Sequence, residues 1–451
     1  MKHAIFYHIY PLGLLGADKT NDFVSAPVDR LSELNGWLEH MVDLGCNALY
    51  IGPVFESSTH GYDTADYYKI DRRLGDDTSL IALVNKAHRM GVKVVLDGVF
   101  NHVGRDFFAF KDLQKHGRNS KYIEWFVNVD FKKRSLLKDS FDYDTWSGYY
   151  QLVKLNLKNK EVRDYLFGAV KKWIDTYKID GLRLDTADVL DFGFMKELSS
   201  FCKSRNPNFW LMGEVVHGNY NRWITDAHLD SVTNYDYHTP IYESFNLSDF
   251  SKIAVILKRQ FGPKGVYNNL SLYSFVDNHD VNRAASMLNK PEHLFPLYLL
   301  LFTLPGIPAI YYGSEWGFEG KRTAHSDEAL RPCVQLDDVQ EQAKHPKLLD
   351  AIKQFISVRK NCKNLVYGAY ETVLVKKEQY AFSRKDKDKT MIVIINSSNK
   401  PITLKIPLNG MFSGTYIDIL NEGDSLIPSK TGLSVEVPPC WGRILVSLIE
   451  N

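Results

Sequence analysis

The sequence predicts an α/β chain built on a (β/α)8 TIM barrel, with a small inserted domain after the third strand and an all-β sandwich domain at the C-terminal end. Three observations carry this. Short runs rich in Val, Ile, Tyr and Leu alternate with amphipathic segments about eight times. One long gap, between Phe100 and Lys160, interrupts the alternation, and beyond residue 365 the period changes to two. At 451 residues, 44% of them hydrophobic, the chain suits a large α/β domain with a companion.

The expected strands lie in residues 4–10, 48–52, 92–100, 181–186, 209–215, 231–237, 271–277 and 307–313. Nearly continuous apolar runs of this kind are the mark of parallel strands buried on both faces. Between the first two, Leu31, Leu34, Trp37, Leu38, Met41 and Leu44 share one helical stripe, and residues 161–178 repeat the pattern. The segment "YIEWFVNVDFKK…FDYDTWSGYY" is aromatic and charged without a strand–helix repeat, which predicts an inserted subdomain over the barrel mouth. The resulting boundaries are 1–102 and 160–365 for the barrel, 103–159 for the insertion and 366–451 for the β domain. Its strands are "YETVLVKKEQYAFSR", "KTMIVIINSS", "ITLKIPL" and "GRILVSLI", following a helix over 345–360.

Composition excludes several classes. The net charge is +1, with 55 basic and 54 acidic residues interspersed, so no nucleic-acid footprint is expected. The longest apolar stretch, 294–313, is broken by Pro305, Gly306 and Pro308 into a helix and a strand, so no membrane span is expected. Five scattered cysteines read as reduced thiols. The N-terminus becomes strand-like within four residues, which predicts a cytoplasmic protein, or a secreted one if a signal peptide precedes residue 1.

Chemistry is concentrated at the C-terminal ends of four strands, where barrel active sites form. These ends carry Asp97 with Asn101 and His102, Arg183 with Asp185, Glu214, and Asp277 with His279 and Asp280. Any one of them reads as a cap or an ion pair. Four together place several like charges in one volume, a cost that points to catalysis.

In that order and spacing, "DGVFNH", "GLRLD", "MGEV" and "FVDNHD" resemble the four signature regions of the α-amylase family of glycoside hydrolases. "HGYD", "LVKLN" and "GIPAIYYGSE" extend the resemblance, the second toward the neopullulanase, cyclomaltodextrinase and maltogenic amylase group. The resemblance implies retaining hydrolysis of α-1,4-glucosidic bonds in maltodextrins, with an α-glucan oligosaccharide as partner. It implies Asp185 as nucleophile, Glu214 as general acid/base and Asp280 as the third carboxylate. His102, His279 and Arg183 would contact sugar, Tyr62 would stack beneath it, and Asp97 would brace Arg183. Asp63 either touches sugar or fixes its loop, and Arg331 either lines the subsite or makes a surface ion pair. Arg183 beside Asp185 would keep that carboxylate ionised, whereas the apolar run around Glu214 would raise its pKa. Trp125, Trp146 and Trp316 are expected in loops near the mouth, as platforms or as packing.

Several positions depart from the family pattern. Asp188 and Val189 stand where many members carry Lys and His, so of the calcium constellation only Asn101 remains. No cofactor is required by this chemistry, and Asn101 with carbonyls of the insertion marks where calcium could bind. Thr59 replaces the aspartate that closes a single-glucose pocket in exo-acting relatives, and the group's N-terminal dimerisation domain is not in the sequence, which predicts a monomer or weak oligomer. Two rivals remain: a transglycosylase of the same fold, and a non-catalytic amylase-like subunit.

Overall fold

The computed structural model describes residues 1–387, 389–408, 414–421, 423 and 425–447. Eight parallel strands form the barrel: β1 (Phe6–Ile9), β2 (Ala48–Ile51), β3 (Lys93–Gly98), β4 (Gly181–Leu184), β5 (Trp210–Gly213), β6 (Ser231–Val232), β7 (Tyr273–Ser274) and β8 (Ile307–Tyr311). Each lies within an expected run. Their order is β6-β5-β4-β3-β2-β1-β8-β7. A single parallel bridge, Thr233 with Tyr273, joins the two ends, helped by Ser231 Oγ donating to Ser271 O at 2.7 Å.

Alternation along each strand sorts the side chains. Phe6, Ala48, Tyr50, Val95, Met212, Tyr273 and Ala309 fill the barrel interior, while Ile9, Leu49, Leu96, Leu182, Leu184 and Leu211 pack outward against the helices. Local chemistry sets the helix ends. Asp76 and Ser79 form a capping box before Asp77–Arg89, Asn159 and Asp191 cap Lys160–Asp175 and Phe192–Arg205, and Gly45 ends Leu34–Leu44 in a left-handed conformation at φ 101°. The apolar stretch splits as expected into a helix, Leu294–Thr303, buried except at Phe295, and β8; no described helix is long and apolar enough to cross a membrane.

Between β3 and Lys160–Asp175 the insertion holds a helix, Phe108–His116, and a sheet of His102–Val103, Thr145–Trp146 and Tyr149–Lys154. Arg105 clamps Asp139 with two bonds of 2.8 Å to hold its far side. At the other end of the chain, a six-stranded antiparallel sheet beginning at Ala369 and a two-stranded sheet enclose Ile392, Ile394, Leu404, Val435 and Leu445. Residues 448 and 449 of the expected last strand lie outside the described residues; Trp441–Ser447 form it.

The C-terminal sheet rests on the helix Leu294–Thr303. A Cβ at Gly442 would come 2.3 Å from Leu299 Cδ2 and 2.5 Å from Ile394 O, so only glycine permits this approach. Gly442→Val is expected to destabilise the chain by about 1–3 kcal/mol through overpacking, read as a lower Tm by calorimetry; an unchanged Tm would contradict the contact.

Candidate active site

Three neighbouring strands converge on one guanidinium. Arg183 pairs in register with Asp97 on β3 and Met212 on β5, and its side chain points into the barrel. Asp185 lies two residues beyond Arg183 and Glu214 two beyond Met212, so both carry the same inward phase. Arg183 Nη1 donates to Asp97 at 2.9 and 3.0 Å and to Asp185 Oδ1 at 2.7 Å. Its Nη2 lies 2.6 Å from Glu214 Oε1. All four side chains are buried. Asp97 also accepts from the hydroxyls of Tyr50 at 2.7 Å and Tyr62 at 3.1 Å. Glu214 Oε2 accepts the N–H of Thr186 at 2.9 Å. Thr186 adopts φ 45°, which a β-branched residue seldom takes, and backbone strain of this kind gathers at functional sites.

One cation among three carboxyls leaves excess negative charge. Burial pushes Asp185 well above the usual carboxylate range; Arg183 pulls it back, while Glu214, Asp97 and Asp280 add to the rise. Burial raises Glu214 too, against the pull of Arg183. The two acids therefore titrate as a pair that keeps a proton after an isolated carboxyl has lost its own. The i, i+2 spacing in the sequence shows the Asp185 partner of Arg183, but not Glu214 arriving from β5.

Asp280 has the opposite environment. Burial would raise it, but His279 Nε2 at 3.0 Å and Arg331 Nη2 at 2.9 Å outweigh that and hold it well below the usual range. Arg331 also donates through Nε to His279 O at 2.9 Å, and its guanidinium sits 4.6 Å over the Tyr10 ring. It is thus part of the site wall and not a surface ion pair. His279 lies beside Tyr62 and Tyr10, with ring centroids 5.6 and 5.8 Å away and planes within 8°. The Tyr62 hydroxyl meets both Asp97 and His279 Nε2, while part of its ring stays accessible.

His102 is buried beside the Tyr62 loop, and burial lowers its pKa to about 3, so the ring is neutral. The Asn101 amide nitrogen lies 3.1 Å from Nδ1; donation there places the ring proton on Nε2, which has no hydrogen-bond partner in the protein. Asp63 accepts from Thr59 N–H at 3.1 Å and Thr59 Oγ1 at 2.6 Å, the geometry of a loop brace. Calcium takes six to eight oxygen ligands, whereas Asn101 is directed to His102 and, among the described residues, no group of three or more His, Cys, Asp or Glu assembles as metal donors.

The tryptophans divide. Trp146 is half-buried, 5.7 Å from His102 and stacked on the exposed Tyr149. Trp125 is buried and donates to Glu161 at 2.9 Å, and Trp316 is buried against His40 at 4.6 Å. These two pack the fold, the second of the two roles expected for them. Motif and spacing do not single out Tyr50, His8, Tyr10 or Tyr235, yet all four border the site. His8 stacks on Tyr50 at 4.1 Å beneath the carboxyls. Tyr235 accepts from Asn278, whose Oδ1 receives the Asp280 N–H at 2.8 Å. Inward phase at the ends of β1 and β2 is the sequence signal that marks His8 and Tyr50.

Two carboxyls held from adjacent strands of a (β/α)8 barrel, with a third facing them, define a glycoside-hydrolase type of site. Similarity to known proteins agrees. Residues 21–361 match the family described as Alpha amylase, catalytic domain. The chain is 33% identical over 412 residues to a cyclomaltodextrinase of Thermoanaerobacter pseudethanolicus, covering 87% of this chain and 70% of that one. It is 31% identical over 469 residues to neopullulanase 2 of Thermoactinomyces vulgaris, covering 98% and 77%. A solved cyclomaltodextrinase superposes with a TM-score of 0.86 at 28% identity, covering 98% and 78%. The cyclic α-maltosyl-(1→6)-maltose hydrolase of Arthrobacter globiformis gives 0.82 at 25%, covering 99% and 98%. The chain belongs to the α-amylase family and is a glycoside hydrolase.

Removing Arg183 tests the electrostatic account. In Arg183→Met the carboxyls lose their counter-charge, and their folded-state pKa values move further above the unfolded ones. A raised pKa contributes stability at low pH that is lost as pH rises. The variant is therefore expected to lose about 3–5 kcal/mol near neutral pH and to recover part of it toward about pH 5, measured by urea unfolding. A loss that does not depend on pH would contradict the account.

Proposed function

We propose that this protein hydrolyses α-1,4-glucosidic bonds in maltodextrins and cyclodextrins with retention, through a covalent glycosyl-enzyme. The observation that carries the proposal is the sharing of Arg183 by Asp185 and Glu214 from adjacent strands. Retaining glycosidases need two carboxyls about 5–5.5 Å apart, one to attack the anomeric carbon and one to protonate the leaving oxygen. Asp185, gripped through Oδ1, attacks through its other oxygen. Glu214 carries the shared proton and gives it to the departing glycosidic oxygen, then takes one from the water that breaks the glycosyl-enzyme. Proton sharing resolves the tension between a nucleophile that must be ionised and an acid that must not be.

Asp280, kept anionic by His279 and Arg331, holds ring hydroxyls more strongly in the flattened, cation-like transition state than in the ground state. His102 and His279 contact hydroxyls, and Tyr62 supplies the ring face under the reacting sugar. Asp97 and Tyr50 position Arg183 without touching substrate. Names of relatives support the substrate class: cyclomaltodextrinase and neopullulanase. A cytoplasmic site of action agrees with the five unpaired cysteines and with the intracellular maltogenic amylase of Bacillus subtilis, 29% identical over 386 residues and covering 84% of this chain and 63% of that one.

Incubation with γ-cyclodextrin, maltotriose, pullulan and starch, with and without added glucose, is expected to give short linear maltodextrins released to water. Transfer to glucose as the main outcome would favour a transglycosylase, and a folded protein inactive on all four would overturn the reading. Glu214→Gln should lower kcat by about 10²–10⁴-fold. On an aryl glycoside with a good leaving group it should lose the alkaline limb of the kcat/KM profile, which lies above the ordinary carboxylate range because the pair is raised. An alkaline limb unchanged in that variant would remove Glu214 from the role.

A further inference from the structure

At the end of the barrel opposite the carboxyls, where the chain enters β7 and β8, lies a cavity of about 410 Å³. Ser271 and Gly306 line it from the barrel, Gly368, Tyr370 and Arg384 from the C-terminal domain, and Lys2 from the N-terminal segment. No Asp or Glu is among its lining residues.

Two buried arginines dominate this region. Arg384, 1% exposed, donates to Thr303 O at 2.9 Å and Gly368 O at 3.1 Å. Arg359, 2% exposed, donates to the carbonyls of Phe302, Leu304 and Gly306 at 2.8, 3.1 and 2.5 Å. The carbonyls of Phe302, Thr303 and Leu304 lie at the C-terminal end of the helix Leu294–Thr303, and a helix end offers only about half a negative charge against two full positive ones. Among the described residues neither arginine has a carboxylate partner, in contrast to buried Arg73 on Asp71 and Arg183 on its three acids. Burial pushes both guanidinium pKa values down to about 9, with Arg359 adding to the fall at Arg384. A guanidinium stays charged at neutral pH even so, and a buried cation without a counter-ion is costly.

We propose that this cavity binds a small phosphate-type oxyanion, either inorganic phosphate or the phosphate of a phosphosugar. The charge of Arg384, which lines the cavity without a carboxylate partner among the described residues, suits such a group. Lys2, exposed at the rim, adds a second cation, and the hydroxyl of Ser271 adds a donor, while the Tyr367 hydroxyl is held by His3 Nε2. The volume is in the range of small-ligand sites, leaving room for a sugar on the phosphate. Because the two domains each supply a wall, the ligand would tie the C-terminal sheet to the barrel. This site is distinct from the carboxyl cluster and does not depend on the reading of that cluster.

The test is a thermal-unfolding titration of the full chain with inorganic phosphate and with glucose 6-phosphate, against sodium chloride at equal ionic strength and against glucose. Ligand bound only by the folded state raises Tm with concentration. Both phosphates are expected to raise it beyond the chloride control while glucose does not. Equal apparent affinities point to free phosphate, and tighter binding of glucose 6-phosphate points to a phosphosugar. Lys2→Glu, at an exposed position that leaves folding intact, should weaken binding by about tenfold or more, and Arg384→Gln should abolish it. A Tm rise no greater than with chloride, or one equally strong in Lys2→Glu, would overturn the proposal.

Discussion

Everything at the mouth of this barrel depends on one buried guanidinium. Arg183 contacts acids from three successive strands, and none of them can be buried there at tolerable cost without it. Its position is set in turn by the pleat and the register: β4 presents its inward residues at Gly181 and Arg183, and parallel pairing brings Asp97 and Met212 level with Arg183. The sequence stretch "GLRLDT" therefore encodes two things at once, an outward leucine face that holds the helices and an inward polar face that holds the site.

The charge balance derives from that geometry. Three carboxyls around one cation retain a proton, whereas Asp280, facing His279 and Arg331, does not. Two environments within one site thus divide the carboxyls into a proton-sharing pair and an anion, the contrast that acid/base chemistry with a stabilised cation needs. The aromatic wall of Tyr62, His279 and Tyr10 joins these halves, because Tyr62 touches Asp97 on one side and His279, the partner of Asp280, on the other.

Much of this is legible in the residues. All eight strands fall inside apolar runs, because parallel strands covered on both faces leave little room for polar residues. Strand ends carrying Asp97, Arg183, Glu214 and Asp280 stand out because charge in such runs has no structural reason to be there. Contact across the chain is what the residues do not show. Arg331 reaches Asp280 from 51 positions away, so its role turns on a loop path that local pattern does not encode. Trp316 lies in a loop by sequence but under the barrel helices in space, where His40 stacks on it. Arg359 and Arg384 look like ordinary charges in a helix and a strand; only their bonds to carbonyls around residues 302–306 reveal two cations without carboxylate partners among the described residues.

The central claim is that Asp185 and Glu214 work on one anomeric carbon from opposite sides in two displacements. The most direct measurement is the configuration of the first sugar released from γ-cyclodextrin or maltotriose, followed by proton NMR before mutarotation. Two displacements give the α-anomer, and the account predicts that it appears first. Initial release of the β-anomer would mean a single displacement by water and would contradict the assignment of Asp185 as nucleophile.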